Sequence, residues 1–341
     1  MAAPTPGAPT LNYEDEVVTK ALVRYLELPG VAGPLALITL DNGLDHTRPN
    51  TFGPGGLYRL DAAMDEIAAH QPGVAAIAVT GKPFIFSVGA DLSYRSSITD
   101  ASAVRPLLLE LGRLGHRVLR RVGSGQLDER RVPTFALVNG AAMGGGLELA
   151  LHCDYRTMST DTAAVALPEV ALGLVPAWGG TQLLPQLIGA DRAVAVIVEN
   201  PLSQNRMLKP AQVAELGIVD RLLEPADFLE ESLRWAGAVL RGETDPKATR
   251  PRVERGEAWA AAVARGRQLA DARLHGAAPA PYRALDLIES AEAIALDVSA
   301  AATALDDGFA AEDEALADLG AGEELQASLY AFDLVQKRAK R

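Results

Sequence analysis

Short apolar runs alternate along this chain with stretches whose apolar residues recur every three or four positions. ALITL (36–40) and VAAIAVTG (74–81) are continuous apolar runs of strand length, the pattern of strands buried on both faces. Between them GLYRLDAAMDEIAAH (56–70) carries helical periodicity. Leu107, Leu111, Leu114 and Val118 recur at spacings of four, three and four, which predicts a helix over 104–122 with one core-facing stripe. TFALVN (134–139) predicts a third strand running into a glycine-rich turn and an apolar helix, then a short strand near 154–158. Further helices are expected near 180–189, 191–199 and 208–217. Strands alternating with helices imply an α/β domain, placed at 12–240. Residues 1–11, rich in Pro, Ala and Thr, are expected to form a loose tail. At 241 the composition changes: RGETDPKATRPRVERGE is charged and carries two prolines. Beyond it, 241–341 reads as a helical region rich in Ala, Leu and acids. Leu287, Ala291, Ile294 and Val298 mark one helical face, and Leu325, Leu329, Phe332 and Val335 or Gln336 another. These helices are expected to serve packing or interfaces. No fixed-period repeat is present.

Two of the apolar stretches each hold one acid and no other charge. In 134–151, TFALVNGAAMGGGLELAL, it is Glu148; in 163–190, AAVALPEVALGLVPAWGGTQLLPQLIGA, it is Glu169. Segments this apolar belong inside, where a carboxylate is costly unless it is paired or hydrogen-bonded. Neither segment contains a basic partner. Desolvation raises the pKa of such an acid, suiting it to donate or accept protons near neutral pH. Two of them beside glycine-rich backbone suggest an active site with a carboxylate pair.

Composition narrows the function classes. The 341 residues are 48% hydrophobic and 22% charged, with a net charge of −12 and no basic cluster beyond the terminal KRAKR. That balance argues against nucleic-acid binding. No uncharged stretch is continuously apolar over the ~20 residues that a membrane span needs. The N-terminal MAAPTPGAPTLNYEDE has no secretory pattern. A soluble cytoplasmic protein without a membrane partner is therefore expected. Cys153 is the only cysteine, which excludes an intrachain disulfide and fits a reducing compartment. Its apolar surroundings read as a core thiol rather than a nucleophile. The five histidines show no metal-binding spacing, so no metal is expected, and His152 reads as a packed histidine rather than a base. No GxSxG elbow, Walker A loop or GxGxxG fingerprint occurs.

Three motifs remain. GGGLE (144–148) lies at a strand-to-helix turn, where free helix N–H groups and the helix dipole can stabilise an oxyanion; a tight structural turn is the alternative. LPEVALGLVPAWGG (167–180) places Glu169 on or near a loop, as a catalytic acid or a helix cap. FSVGADL (86–92) is a turn after an apolar strand, with Asp91 a candidate cap.

PFIFSVGADL, VPTFALVNGAAMGGGLELALHCDYR, LPEVALGLVPAWGGTQLLPQLIG and LKPAQVAELGIVDRLL, in that order, resemble the crotonase (enoyl-CoA hydratase/isomerase) superfamily over about residues 35–225. The tail segments PYRALDLIESA, DDGFAAEDEALADL and YAFDLVQKRAKR resemble the region after the hydratase half in the α-subunit of bacterial fatty-acid oxidation complexes. In those proteins a 3-hydroxyacyl-CoA dehydrogenase half comes next; without a dinucleotide fingerprint, that activity is expected to be absent from this chain. The resemblance implies an α/β crotonase-like spiral of ββα units with a helical C-terminal extension, and a pocket for an acyl-CoA thioester. The N–H groups of Ala90 and Gly145 would form an oxyanion hole. Glu148 would activate the water that adds to C3 of a trans-2-enoyl-CoA, and Glu169 would protonate C2. Val88, Asp91, Leu92, Gly144, Ala177 and Trp178 would line the substrate site. Val88 and Trp178 stand where the family usually has small residues, and Ala177 often where it has glycine. No cofactor is implied, CoA being part of the substrate. Both acids together favour enoyl-CoA hydratase in fatty-acid β-oxidation over isomerase or another crotonase reaction. A partner-dependent or non-catalytic subunit is the remaining alternative. The expected assembly is a homo-oligomer, a trimer or hexamer, with a separate 3-hydroxyacyl-CoA dehydrogenase as a candidate partner.

Overall fold

The computed structural model describes residues 11, 13–128, 130–250, 252–295 and 298–339. The tail expected at residues 1–10 lies outside them. Leu11, assigned to that tail, is instead buried in the core. The side chains of Ile294, Val298, Phe332 and Val335, expected on tail-helix faces, are likewise outside the described set.

β1 (Lys20–Leu26) pairs antiparallel with β2 (Leu35–Asp41), and α1 (Pro54–Ala69) comes after them. β3 (Ala76–Gly81) and β4 (Phe84–Ser87) lead into the one-turn α2 (Ser93–Ser97) and the long α3 (Ala101–Ser124). A small hairpin, β5 (Gln126–Leu127) and β6 (Arg130–Arg131), precedes β7 (Thr134–Val138), β8 (Gly140–Met143) and α4 (Gly145–His152). β9 (Tyr155–Ser159) and β10 (Val165–Ala166) lead to a 3-10 turn, Glu169–Leu172. Helices α5 (Gly180–Ile188), α6 (Ala190–Val194), α7 (Asn200–Leu202) and α8 (Pro210–Leu216) come before β11 (Arg221–Leu223). The remaining helices are α9 (Phe228–Leu240), α10 (Glu257–Leu274), α11 (Ala280–Ser290), α12 (Val298–Ala321) and α13 (Glu323–Ala339).

The strands form a six-stranded sheet of order β1-β2-β3-β7-β9-β11 and a three-stranded sheet of order β10-β8-β4. Each pair β3–β4, β7–β8 and β9–β10 puts its first strand in the large sheet and its second in the small one, then turns into helix. That repetition is the spiral of ββα units. The switch between sheets is visible at Asn139, where β7 ends and β8 begins in what the sequence reads as a glycine-rich turn. Asn139 Oδ1 accepts from Gly81 N (3.0 Å), and its Nδ2 donates to the Gly81 and Lys82 carbonyls (3.0 and 2.7 Å). Gly140 then passes so close to Phe84 that a Cβ would lie 2.0 Å from its backbone.

The apolar runs are buried on both faces because each face has its own cover. Ile77, Val79, Ala136 and Val138 point into the main core with Leu57, Leu60 and Met64 of α1 and Val118 of α3. Their neighbours Ala76, Ala78, Phe135 and Leu137 join a second cluster under Phe228 and Trp235 of α9. β1 escapes a periodicity search because it is an edge strand of alternating half-buried and exposed positions, and β4 because it is only four residues long. Two helical expectations are corrected. The helix at 191–199 is α6 continued by a π turn, Ala195–Glu199, into α7. The single face drawn through 287–298 is interrupted, since α11 ends at Ser290 and a 3-10 turn, Ala291–Ala295, intervenes before α12.

α12 lies along α3 at close range. Gly112 of α3 faces Asp313, and Gly320 of α12 faces Leu108; a Cβ at either would come within 2.7 and 2.4 Å of those side chains. Arg105 pairs with Glu314 and Asp318 across this seam, and Arg120 with Asp306.

Candidate active site

The site begins where β4 ends. Phe52 N donates to Gly89 O (2.8 Å) and Asp91 N to Phe52 O (3.0 Å). This parallel bridge uses the groups on either side of Ala90 and leaves its own N–H outside the ladder, at the wall of a pocket. Gly145, the first residue of α4, likewise has an N–H without an intrahelical acceptor. Gly89, at φ +88°, packs against it, and a Cβ there would lie 2.6 Å from Gly145 N. Gly144 adopts φ 51°, ψ −131°, a conformation open to glycine, and a Cβ on it would meet Glu169 Oε1 at 2.6 Å. Glycine is thus required at these two positions by both backbone angle and space. Asp91 lies one residue before Leu92, the N-cap of α2, and its carboxylate accepts from Ser93 N (3.0 Å) and Ser93 Oγ.

The two acids reach the pocket from different elements. Glu148, on α4 and 2% exposed, accepts through Oε1 from Trp178 N (2.7 Å) and Gly180 N (2.8 Å). Burial and then the nearby Glu312 charge push its pKa up to about 7 against the pull of those two amides. Glu169 opens the 3-10 turn, and its Oε2 is sealed from solvent without a hydrogen-bond partner. Burial first, and then the proximity of Glu148, holds its carboxyl well above the ordinary range. Coupled in this way, the two acids titrate as a pair.

Trp178 organises the space between them. Its indole lies over Gly145, where a Cβ would come within 2.3 Å of Cε3, and against Gly115 of α3, where one would come within 2.1 Å of Nε1. Its carbonyl accepts from His152 Nε2 (2.9 Å). Burial depresses the His152 pKa to about 3, so the ring is neutral and donates through Nε2–H. His152 is packed and hydrogen-bonded, as its sequence position suggested. Cys153 is buried, its thiol pushed up to about 12, chiefly by burial.

The resulting cavity is about 110 Å³, walled mainly by apolar groups. Val88, Ala90, Asp91, Leu92, Gly144, Gly145, Glu148, Glu169, Ala177 and Trp178, separated by up to 90 positions in sequence, all border it. Sequence reasoning missed other parts of the wall, among them Tyr94 and Arg95 of α2, Leu108 and Leu111 of α3, Leu316 of α12 and Leu325 of α13. The two tail residues carry no local signal, since their helical pattern is that of any packing face. Helices expected only to pack therefore also border the site. No cluster of metal-ligating side chains occurs among the described residues.

Buried Glu148, half-buried Glu169 and two N–H groups outside any ladder or helix bond border one mainly apolar cavity, an arrangement chemically able to move a proton beside an anionic oxygen. The family model described as enoyl-CoA hydratase/isomerase matches residues 33–250, and the chain belongs to that family. The fatty acid oxidation complex subunit alpha of Idiomarina loihiensis is 36% identical over 222 residues, covering 63% of this chain and 29% of that protein. The chain thus matches under a third of the length of such relatives. An enoyl-CoA hydratase/isomerase from Xanthobacter autotrophicus Py2 superposes with a TM-score of 0.51 at 27% identity, covering 86% of this chain and 98% of that one. An enoyl-CoA hydratase from Bacillus halodurans covers 91% of this chain and 99% of its own at a TM-score of 0.60; at 18% identity it speaks for the crotonase fold alone.

Proposed function

We propose that this protein is an enoyl-CoA hydratase, adding water across the 2,3 double bond of a trans-2-enoyl-CoA to give a 3-hydroxyacyl-CoA in fatty-acid β-oxidation. The observation that carries this reading is the acid pair, Glu148 buried and Glu169 half-buried with Oε2 sealed, bordering one cavity with the Ala90 and Gly145 N–H groups, both acids with raised pKa. The thioester oxygen would accept from those two N–H groups, which become stronger partners as enolate charge develops. Glu148, deprotonated, would take a proton from the water whose oxygen bonds to C3. Glu169, protonated, would give its proton to C2 as the C2–C3 π pair moves there. One proton is gained by the pair and one is lost, so proton exchange between the acids restores the starting state. Val88, Leu92, Ala177 and Trp178 would shape the acyl site, with Asp91 and Gly144 holding the loops that bear them. The indole would shorten the cavity and so favour short and medium acyl chains.

Loss of conjugated-enoyl absorbance with crotonyl-CoA, and then with medium- and long-chain enoyl-CoA, tests the reading. Fast loss that disappears in both E148Q and E169Q supports it; undiminished turnover in both variants overturns it. A double-bond isomerase is the second reading. It is favoured by the contrast between Glu169, with one oxygen unpartnered, and Glu148, engaged by two amides. It requires E148Q to stay active and E169Q to fail. The relatives are named as subunits of a complex, so a co-purification with a 3-hydroxyacyl-CoA dehydrogenase is the corresponding test for a partner.

A further inference from the structure

The turn from Trp178 to Thr181 offers four successive backbone N–H groups at the start of α5, and two acids divide them in alternation. Trp178 N and Gly180 N go to Glu148 Oε1. Gly179 N goes to Glu312 Oε2 (2.7 Å) and Thr181 N to Glu312 Oε1 (2.9 Å), with Thr181 Oγ1 adding a bond to the same oxygen. Glu312 lies on α12, more than sixty residues beyond the family match, and is completely buried. His116 of α3 holds it from behind: Nε2 contacts Glu312 Oε2 (2.8 Å), Nδ1 contacts Asp313 Oδ1 (2.7 Å), and the ring stacks on Phe309 with centroids 4.5 Å apart.

We propose that Glu312 is a positioning residue for Glu148, holding from the C-terminal helix the turn whose other two amides orient that acid. Without Glu312, two N–H groups at a buried helix start lose their acceptor, and the turn must shift to find another. Glu148 and Trp178 are both tied to that turn, so their placement shifts with it. His116 and Asp313 serve the same end by fixing Glu312; burial pulls the His116 pKa down, but the bonds to Asp313 and Glu312 outweigh it and lift the ring to about 9, keeping it cationic between the acids. The effect on turnover rests on the hydratase reading; the effect on the turn does not.

Both are measured in the full chain with E312Q. The glutamine can accept through one oxygen, but its NH2 group faces a donor. Amide hydrogen exchange across 178–181 is expected to accelerate about tenfold or more. With crotonyl-CoA, kcat is expected to fall about 10- to 100-fold while KM changes by less than about threefold. Unchanged exchange overturns the proposal, as does faster exchange with kcat within about twofold of wild type. Should wild type hydrate no enoyl-CoA, the functional reading falls and the exchange result alone decides the positioning role. If E312Q does not fold, T181V and H116Q replace it. T181V removes one bond to Glu312 and is expected to cost about two- to tenfold in kcat, with KM unchanged; unaltered exchange and kcat in both replacements overturn the proposal.

Discussion

Glu148 and Glu312 meet the same turn from opposite sides and are handled differently. Each accepts two of its four N–H groups, and both are buried. Glu312 has a cation behind it, His116, and a hydroxyl beside it. Glu148 has neither; its nearest charged influences are another acid and a histidine too far away to bond it. The acid with a counterion is held in place by it, and Glu148, left without one, is poised to change protonation near neutrality. Burial is common to both, so burial alone does not poise an acid for proton transfer. What distinguishes Glu148 is that its environment satisfies the helix start but leaves the carboxylate's charge uncompensated.

The largest expected break in this contrast is chemical. Replacing Glu148 or Glu169 by Gln should lower hydration of crotonyl-CoA by about 10²–10⁴-fold, the usual scale of general acid–base contributions. Crotonyl-CoA affinity, measured by calorimetry, should change little. Next comes Trp178→Ala, which keeps the turn's amides but removes the indole between Gly115 and Gly145. It should destabilise the fold by about 3–5 kcal/mol in a denaturant melt while raising relative activity on longer enoyl-CoA chains.

pH separates the two acids' surroundings. Hydration should rise with pH through about 7 as Glu148 loses its proton. In the fold, both raised groups bind more protons than the unfolded chain does, so stability falls as pH rises. Glu148 contributes between its ordinary 4.5 and about 7. The His116 contribution is complete below 6.5 and is lost as pH passes about 9. His152 has the opposite sign, costing stability as pH falls from 6.5 toward about 3. Melting temperatures across pH 5–10 (about the window these shifts define) should flatten in the lower part for E148Q and in the upper part for H116Q. The smallest effect belongs to the exposed seam: Arg105→Ala, which breaks pairs with Glu314 and Asp318, should cost about 0.2–1 kcal/mol and vanish at high salt.

Much of this was legible in the chain. β3 and β7 announce themselves as unbroken apolar runs because a doubly covered parallel strand needs nothing else. Glu148 and Glu169 stand out because an acid is conspicuous in a long apolar segment. β1 is obscured by its half-exposed edge, and the break at 290–298 by alanines that suit either side of it. Glu312 is hidden for the opposite reason to Glu148: it lies in EDE, among acids and alanines that resemble any solvated helix face.

Sequence by itself determined the elements and the chemistry confined to one segment: the strand–turn–helix with its free N–H groups, the lone acids and the glycines that admit close approach. Only the tertiary structure decided which distant groups share a boundary. It set Trp178 across Gly115 and Gly145, gave the two acids one turn to divide, and brought Glu312 to it from 131 positions beyond Thr181. Local pattern records how a segment meets solvent or core; it does not record which of many buried faces will meet. That is settled by packing across the whole chain, where a missing Cβ at Gly112 or Gly115 is enough to admit a particular partner.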